Sequence, residues 1–134
     1  MTATTISDRT QLDLLLLRSL AERAHGAFAE GHEVGTMTGL LVADMTSETA
    51  IRLALSHLHS ERDLSRESLQ KHLGDLVSEI PALSIHENAI KRLRKDRNPV
   101  QHGASVPASG GVALHLKAMD AFLADVVQSC LGWT

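Results

Sequence analysis

The sequence predicts an all-α up-and-down bundle of four to five helices, and two observations lead there. Apolar residues make up 43% of the chain, yet it holds two Phe, one Trp and no Tyr. The core is therefore built from Leu, Ala, Val and Met, which suits helices better than the β-branched and aromatic mixtures that dominate sheets. Those apolar residues recur at three- and four-residue intervals between Gly and Pro breaks, and no stretch alternates as a half-buried strand does. At 134 residues the chain is long enough for one core. Residues 1–134 are read as a single domain, with 1–6 a flexible tail and 103–111 a loop.

Taken in order, Ser7 or Asp8 caps a first helix that runs to about Ala29, where Gly31 stops it. Leu12, Leu16, Leu20, Ala24 and Ala27 form one apolar stripe, while the run Leu14 to Leu17, turning about 100° per residue, covers most of the circumference. One face packs inside the domain; the surplus points to a second surface and so to oligomerisation. A second helix is expected from about Thr36 to Leu58, with Leu40, Leu41, Ile51, Leu55 and Leu58 on its core side. Its Asp44, Glu48 and Arg52 recur every four residues and line one polar strip. That strip is either a solvated face or a set of acidic groups that orient an arginine.

Ser60 to Arg66 is a charged connection, and a third helix from about Ser65 to Glu79 turns Leu69, Leu73, Leu76 and Val77 inward. Pro81 ends it by withholding a backbone donor. Ser84 and Glu87 have capping-box spacing and predict the start of a fourth helix, with Ile85, Ala89, Ile90 and Leu93 buried. Pro99 biases Asn98 away from helical geometry, which sets the expected end near Arg97. Val106 to Gly111 reads as loop. The final helix is expected from about Val112 to Leu131, its apolar face carrying Leu116, Met119, Phe122, Val126 and Cys130.

Charge is concentrated in one place. The net charge is −3, which argues against a protein that coats nucleic acid over its whole surface, yet five of the 13 Lys and Arg residues fall within 91–97. Arg97 and His102 close that stretch with Asn98 beside the arginine. A guanidinium stays charged and offers forked donors to phosphate oxygens, and an imidazole moves protons near neutral pH. Together they suit metal-free RNA cleavage, in which a base assists 2′-hydroxyl attack and a cation stabilises the phosphoryl oxygens. Lys91, Arg94 and Lys95 supply electrostatic approach for RNA, and Asn98 bonds phosphate or holds the turn. The plain alternative is a basic last helical turn favoured by the helix dipole alone, followed by an ordinary loop histidine.

The remaining polar residues add less. Residues two apart on a helix point away from each other, so His57 and His59 do not form a metal site. His25 and His32, on either side of Gly31, are expected at the surface, and His72 and His86 in solvent. His115 shares a face with Met119, Phe122 and Val126, and is either a satisfied interfacial histidine or an auxiliary group of the site, as is Glu48. No phosphate-cradling glycine loop, nucleophile elbow or carboxylate pair is present, so no cofactor is implied. Cys130 is the sole cysteine and reads as a core residue, so a reducing compartment fits. The polar first residues lack a signal-peptide core and Leu14 to Leu17 is too short to span a bilayer, which makes the expected location the cytoplasm.

The segment Arg97-Asn98-Pro99-Val100-Gln101-His102, at the end of a late helix with another helix following, resembles the Arg-polar-spacer-His signature of the HEPN superfamily. The likeness in sequence covers about six residues; in helix order and length it covers most of the chain. It implies a metal-independent endoribonuclease, with Arg97 and His102 catalytic, of the kind found in toxin–antitoxin and antiviral systems. It also implies a homodimer in which the pairs of two protomers share one cleft, and an antitoxin or sensor protein as a further partner. Other members of the superfamily are noncatalytic RNA-binding or scaffold domains, so fold alone does not decide activity. Pro99 within the spacer is a departure that fixes the turn.

Overall fold

A helix of 26 residues, Glu33–Leu58, is the axis of the protein, because its sequence is small where neighbours come close. The structure is a computed structural model and describes residues 8–101, 103 and 107–130. Among these, the order is α1 (Asp8–Ala29), α2 (Glu33–Leu58), α3 (Leu69–Glu79), a 3-10 segment (Pro81–His86), α4 (Glu87–Gln101) and α5 (Ser109–Cys130). No strand occurs among the described residues. The fold is all-α, and α2 touches each of the other four α-helices. The tail 1–6, Ser7, His102, residues 104–106 and Leu131 lie outside the described residues.

Gly35, Gly39, Ala43, Ser47, Ala50 and Ala54 give α2 its slimness and are all buried. A β-carbon at Gly39 would sit 3.2 Å from the Ala24 carbonyl oxygen and 3.2 Å from the Phe28 β-carbon, and one at Gly35 would run into the Ala27 carbonyl oxygen. The backbones of α1 and α2 therefore approach as only glycine allows. Two apolar clusters flank this axis. One gathers Ile51, Leu55, Leu73, Leu76, Leu83 and Phe122 towards α3. The other gathers Leu40, Leu93, Val100, Val112, Leu116 and Met119 beneath the end of α4. Each fully buried large side chain contributes about 1.5–3 kcal/mol. Cys130 belongs to the first cluster, as its place on the last helix predicts.

Element boundaries differ from expectation for local reasons. α2 begins at Glu33, before Thr36, because the His32 ring accepts the Gly35 backbone N–H at 2.9 Å and acts as its cap. α3 begins at Leu69 and not at Ser65, since Ser65 is held in a tight turn by the Asp63 carboxylate while Ser68 caps Lys71 at 3.2 Å. Ser84 does not cap α4: the capping-box spacing falls inside the 3-10 segment Pro81–His86, and α4 starts at Glu87. Three residues per turn put Leu83 and His86 on one side and swing Ile85, expected in the core, out to 76% exposure.

Pro99 does not end α4. It removes one backbone donor, but the helix runs on to Gln101 because Val100 is buried in the second cluster. Gly103 then reverses the chain with φ of 72°, its N–H reaching the Val100 carbonyl at 3.0 Å. α5 begins at Ser109, so residues 109–111 are helical and not loop.

On α1 the inward positions are Thr10, Leu17 and Ala24. Leu12 and Leu16, placed with Ala24 in one predicted stripe, are exposed instead, and Leu15 joins them outside. Leu58, expected on the core side of α2, is also exposed. Among the described residues no helix is long and apolar enough to cross a membrane.

Candidate functional site

The site is built where the polar strip of α2 meets the last turns of α4. On α2, Asp44, Glu48 and Arg52 follow one another at every fourth residue, so they stack along one face. On α4, Arg94 and Arg97 stand three apart and turn to the same side. Buried Leu93 and Val100 fix the rotation of α4 that brings this pair against α2. Asp96 projects from the opposite flank, towards α5.

The side chains form a continuous ladder. Arg97 Nε donates to Asp44 Oδ2 at 3.0 Å, and Arg94 Nε donates to Asp44 Oδ1 at 3.0 Å. Arg94 also gives a terminal N–H to Glu48 Oε2 at 2.8 Å, and the other Glu48 oxygen pairs with Arg52 at 2.8 Å. Asp44 is the innermost rung, 4% exposed, while Arg52 at the far end is half exposed. Burial pushes the Asp44 carboxyl above its ordinary value; Arg94 and Arg97 pull against it, and Glu48 adds to the rise. A shallow depression of about 300 Å³ opens over the ladder, lined by Leu41, Asp44, Met45, Glu48, Arg97 and Gln101.

The two elements bring Arg97, Arg94 and Glu48 together, as the sequence reading grouped them, and add Asp44 as the hub. Asn98 and Lys95 are exposed on other sides of α4, and Lys91 pairs with Glu87 at 3.7 Å. Lys91 and Lys95 are thus set apart from the ladder and remain at the solvent face. His102, the other half of the Arg/His pair, lies outside the described residues. The role of Asp44 was partly legible: its four-residue spacing from Glu48 marked a strip, but nothing in sequence separates the buried member from the half-exposed ones.

His115 is on the other flank of α4. Its Nε2 meets Asp96 Oδ2 at 2.7 Å, and both border a second depression of about 290 Å³ with Leu40, Pro99, Val100 and Val112 among its walls. His115 therefore sits where α5 meets α4, and it does not line the depression that Arg97 borders.

Two histidines correct the expectation of solvent exposure. His86 is buried against the edge of Phe122, ring centroids 5.5 Å apart, and its Nε2 meets Asp125 Oδ2 at 2.5 Å. His72 is fully buried on the inner face of α3, and neither ring nitrogen has a hydrogen-bond partner. Burial holds its pKa below the ordinary value; Arg52 and Arg62 act in the same direction, while Glu67 and Asp75 oppose. His25 pairs with Asp120 at the surface and His59 with Glu79.

Among the described residues no group of three or more His, Cys, Asp or Glu side chains is arranged to hold a metal ion. Comparison with protein-family models, with curated proteins and with solved structures finds no match for this chain.

Proposed function

We propose that the protein is a metal-independent endoribonuclease of the HEPN kind, with Arg97 and His102 as its catalytic pair. The observation that carries this reading is the setting of Arg97. It stands in the last turns of a basic helix, 14% exposed at its side chain, anchored by a buried carboxylate and bordering a depression that it shares with Gln101. The next residue in sequence is His102. In this mechanism the 2′-hydroxyl of RNA loses its proton to a histidine and attacks the neighbouring phosphorus. Arg97 stabilises the charge on the phosphoryl oxygens, the 5′-oxygen leaves with a proton, and a 2′,3′-cyclic phosphate remains.

A single histidine serves poorly as base and acid in one turnover, so the reading includes a homodimer that brings two Arg97/His102 pairs into one cleft. Exposed Leu12, Leu15 and Leu16 on α1 provide apolar surface for association. A toxin or antiviral setting in the cytoplasm, with an antitoxin or sensor partner, follows from the resemblance alone.

A second reading has its own observation. Arg94 and Arg97 are both already bonded to α2 carboxylates, as in a ladder that merely ties two helices together. The protein is then a noncatalytic module that binds RNA or another protein.

Incubation of end-labelled RNA in excess EDTA separates the two. Cleavage by wild type that leaves 2′,3′-cyclic ends and disappears in folded Arg97→Ala and His102→Ala supports the nuclease. Intact RNA after prolonged incubation with a confirmed dimer supports the module.

A further inference from the structure

We propose that Asp44 is the positioning residue of the nuclease site, holding Arg97 by Nε so that its two terminal nitrogens are left for phosphate oxygens. The inference rests on the ribonuclease reading and deepens it. A guanidinium clamped to a carboxylate only as a helix-to-helix tie is best held by two parallel hydrogen bonds. Arg97 makes one: Nε to Asp44 Oδ2 at 3.0 Å, with no hydrogen bond from either terminal nitrogen among the described residues. Arg94 is bound differently, using Nε on Asp44 and a terminal nitrogen on Glu48. Arg97 is thus the less committed of the two, and the one that borders the open depression.

Charge points the same way. The ladder holds three guanidiniums and two carboxylates, so one positive charge is in excess. Glu48 is shared between Arg94 and Arg52, and Asp44 between Arg94 and Arg97, so the two end arginines each have only a share of one carboxylate, and of these two Arg97 is the one that borders the depression. Burial supplies the rigidity. Asp44 emerges from the middle of α2, its side chain 6% exposed, and cannot swing to follow the arginine. An arginine tethered at Nε by a fixed carboxylate loses less freedom when it meets an anion than one swinging on its stem. Asp44 touches no substrate here; it acts through Arg97.

The decisive variant is Asp44→Asn, whose amide keeps one acceptor oxygen of similar shape but no charge, and so cannot hold both arginines. Asp120→Asn, which removes only the surface partner of His25 on α5, is the control that leaves the Arg97 anchor in place. Steady-state cleavage of RNA in EDTA should show a fall of about 100-fold in kcat for Asp44→Asn, the scale of a misplaced catalytic group, with KM changed far less, and little change for Asp120→Asn. Side-chain 15N NMR of the arginines gives a readout independent of turnover. The Arg97 Nε–H resonance, protected by Asp44 in wild type, should exchange rapidly in Asp44→Asn, and its perturbation by inorganic phosphate should weaken.

Wild-type cleavage that is lost in Arg97→Ala but equal in Asp44→Asn overturns the positioning role and leaves the nuclease reading standing. Absence of cleavage by wild type overturns the nuclease reading, and with it a role in turnover. The resonance arm then asks whether Asp44 organises an anion site at all: a protected Nε–H and a phosphate shift that both survive Asp44→Asn refute that as well. Should Asp44→Asn fail to fold, rapid exchange of the Arg97 Nε–H in the wild type refutes the anchor without any variant.

Discussion

Asp44 and Arg97 are separated by 53 positions in sequence, and a 3.0 Å hydrogen bond joins them across the contact between α2 and α4. The carboxylate is buried and shared with Arg94, so removing it takes the partner from Arg97 and leaves Arg94 with Glu48 alone in a poorly solvated groove. Breaking a buried pair from one side costs about 3–5 kcal/mol. Because the arginines keep partial access to solvent, Asp44→Ala is expected to lose about 2–3 kcal/mol. Arg97→Ala should lose about 1 kcal/mol, since Arg94 still pairs with Asp44. Urea unfolding of the variants checks this, and a loss below about 0.5 kcal/mol for Asp44→Ala would mean that the ladder does not hold the helices together.

His72 predicts an acid limb in the stability curve. An unfolded histidine takes up a proton near pH 6.5, whereas burial keeps the pKa of His72 in the folded protein below its ordinary value. Stability is therefore complete above about pH 6.5 and falls as pH drops through that value, because the unfolded chain binds the proton first. Replacing a buried ring that has two unpartnered nitrogens with an apolar side chain removes both the acid limb and the desolvation cost. His72→Leu should therefore be more stable at pH 7 by about 1–2 kcal/mol and should flatten the profile between pH 5 and 7. Thermal unfolding across this range is the check, and an unchanged profile sinks the assignment.

At Gly35 the backbone of α2 leaves no room for a β-carbon beside the end of α1. A methyl group there meets the Ala27 carbonyl oxygen, which belongs to a helix backbone and cannot turn aside. Gly35→Ala is expected to cost about 1–3 kcal/mol, despite the better intrinsic helix propensity of alanine. Gly26, which faces open space, should instead gain or stay neutral on the same change. Equal denaturation midpoints for Gly35→Ala and Gly26→Ala would contradict the packing described.

Cys130 reports on the seat of α5. Burial raises its thiol to about 11, so little thiolate exists at pH 8. Reaction with an aromatic disulfide reagent should run at least about 100-fold slower in the folded protein than in denaturant. Fast labelling under native conditions would mean that the end of α5 opens freely.

The helical class, the number of helices and most core positions are dictated by local pattern, because a 3.6-residue period, Gly31 and Pro81 act within a few residues of themselves. Leu40, Leu55, Leu73, Leu93 and Leu116 fall inside for that reason. The basic end of α4 and the Arg97/His102 spacing are likewise visible in a line of text. Other features depend on contacts between helices. The burial of Val100 carries α4 past Pro99, the three-residue turn of Pro81–His86 exchanges Ile85 for His86, and α1 rotates Leu12 and Leu16 outward. The ladder is the plainest case. Sequence spacing aligns Asp44 with Glu48 and Arg94 with Arg97, but only the docking of α4 on α2 decides that one carboxylate is shared by two arginines, because desolvation and charge pairing are properties of the assembled groove.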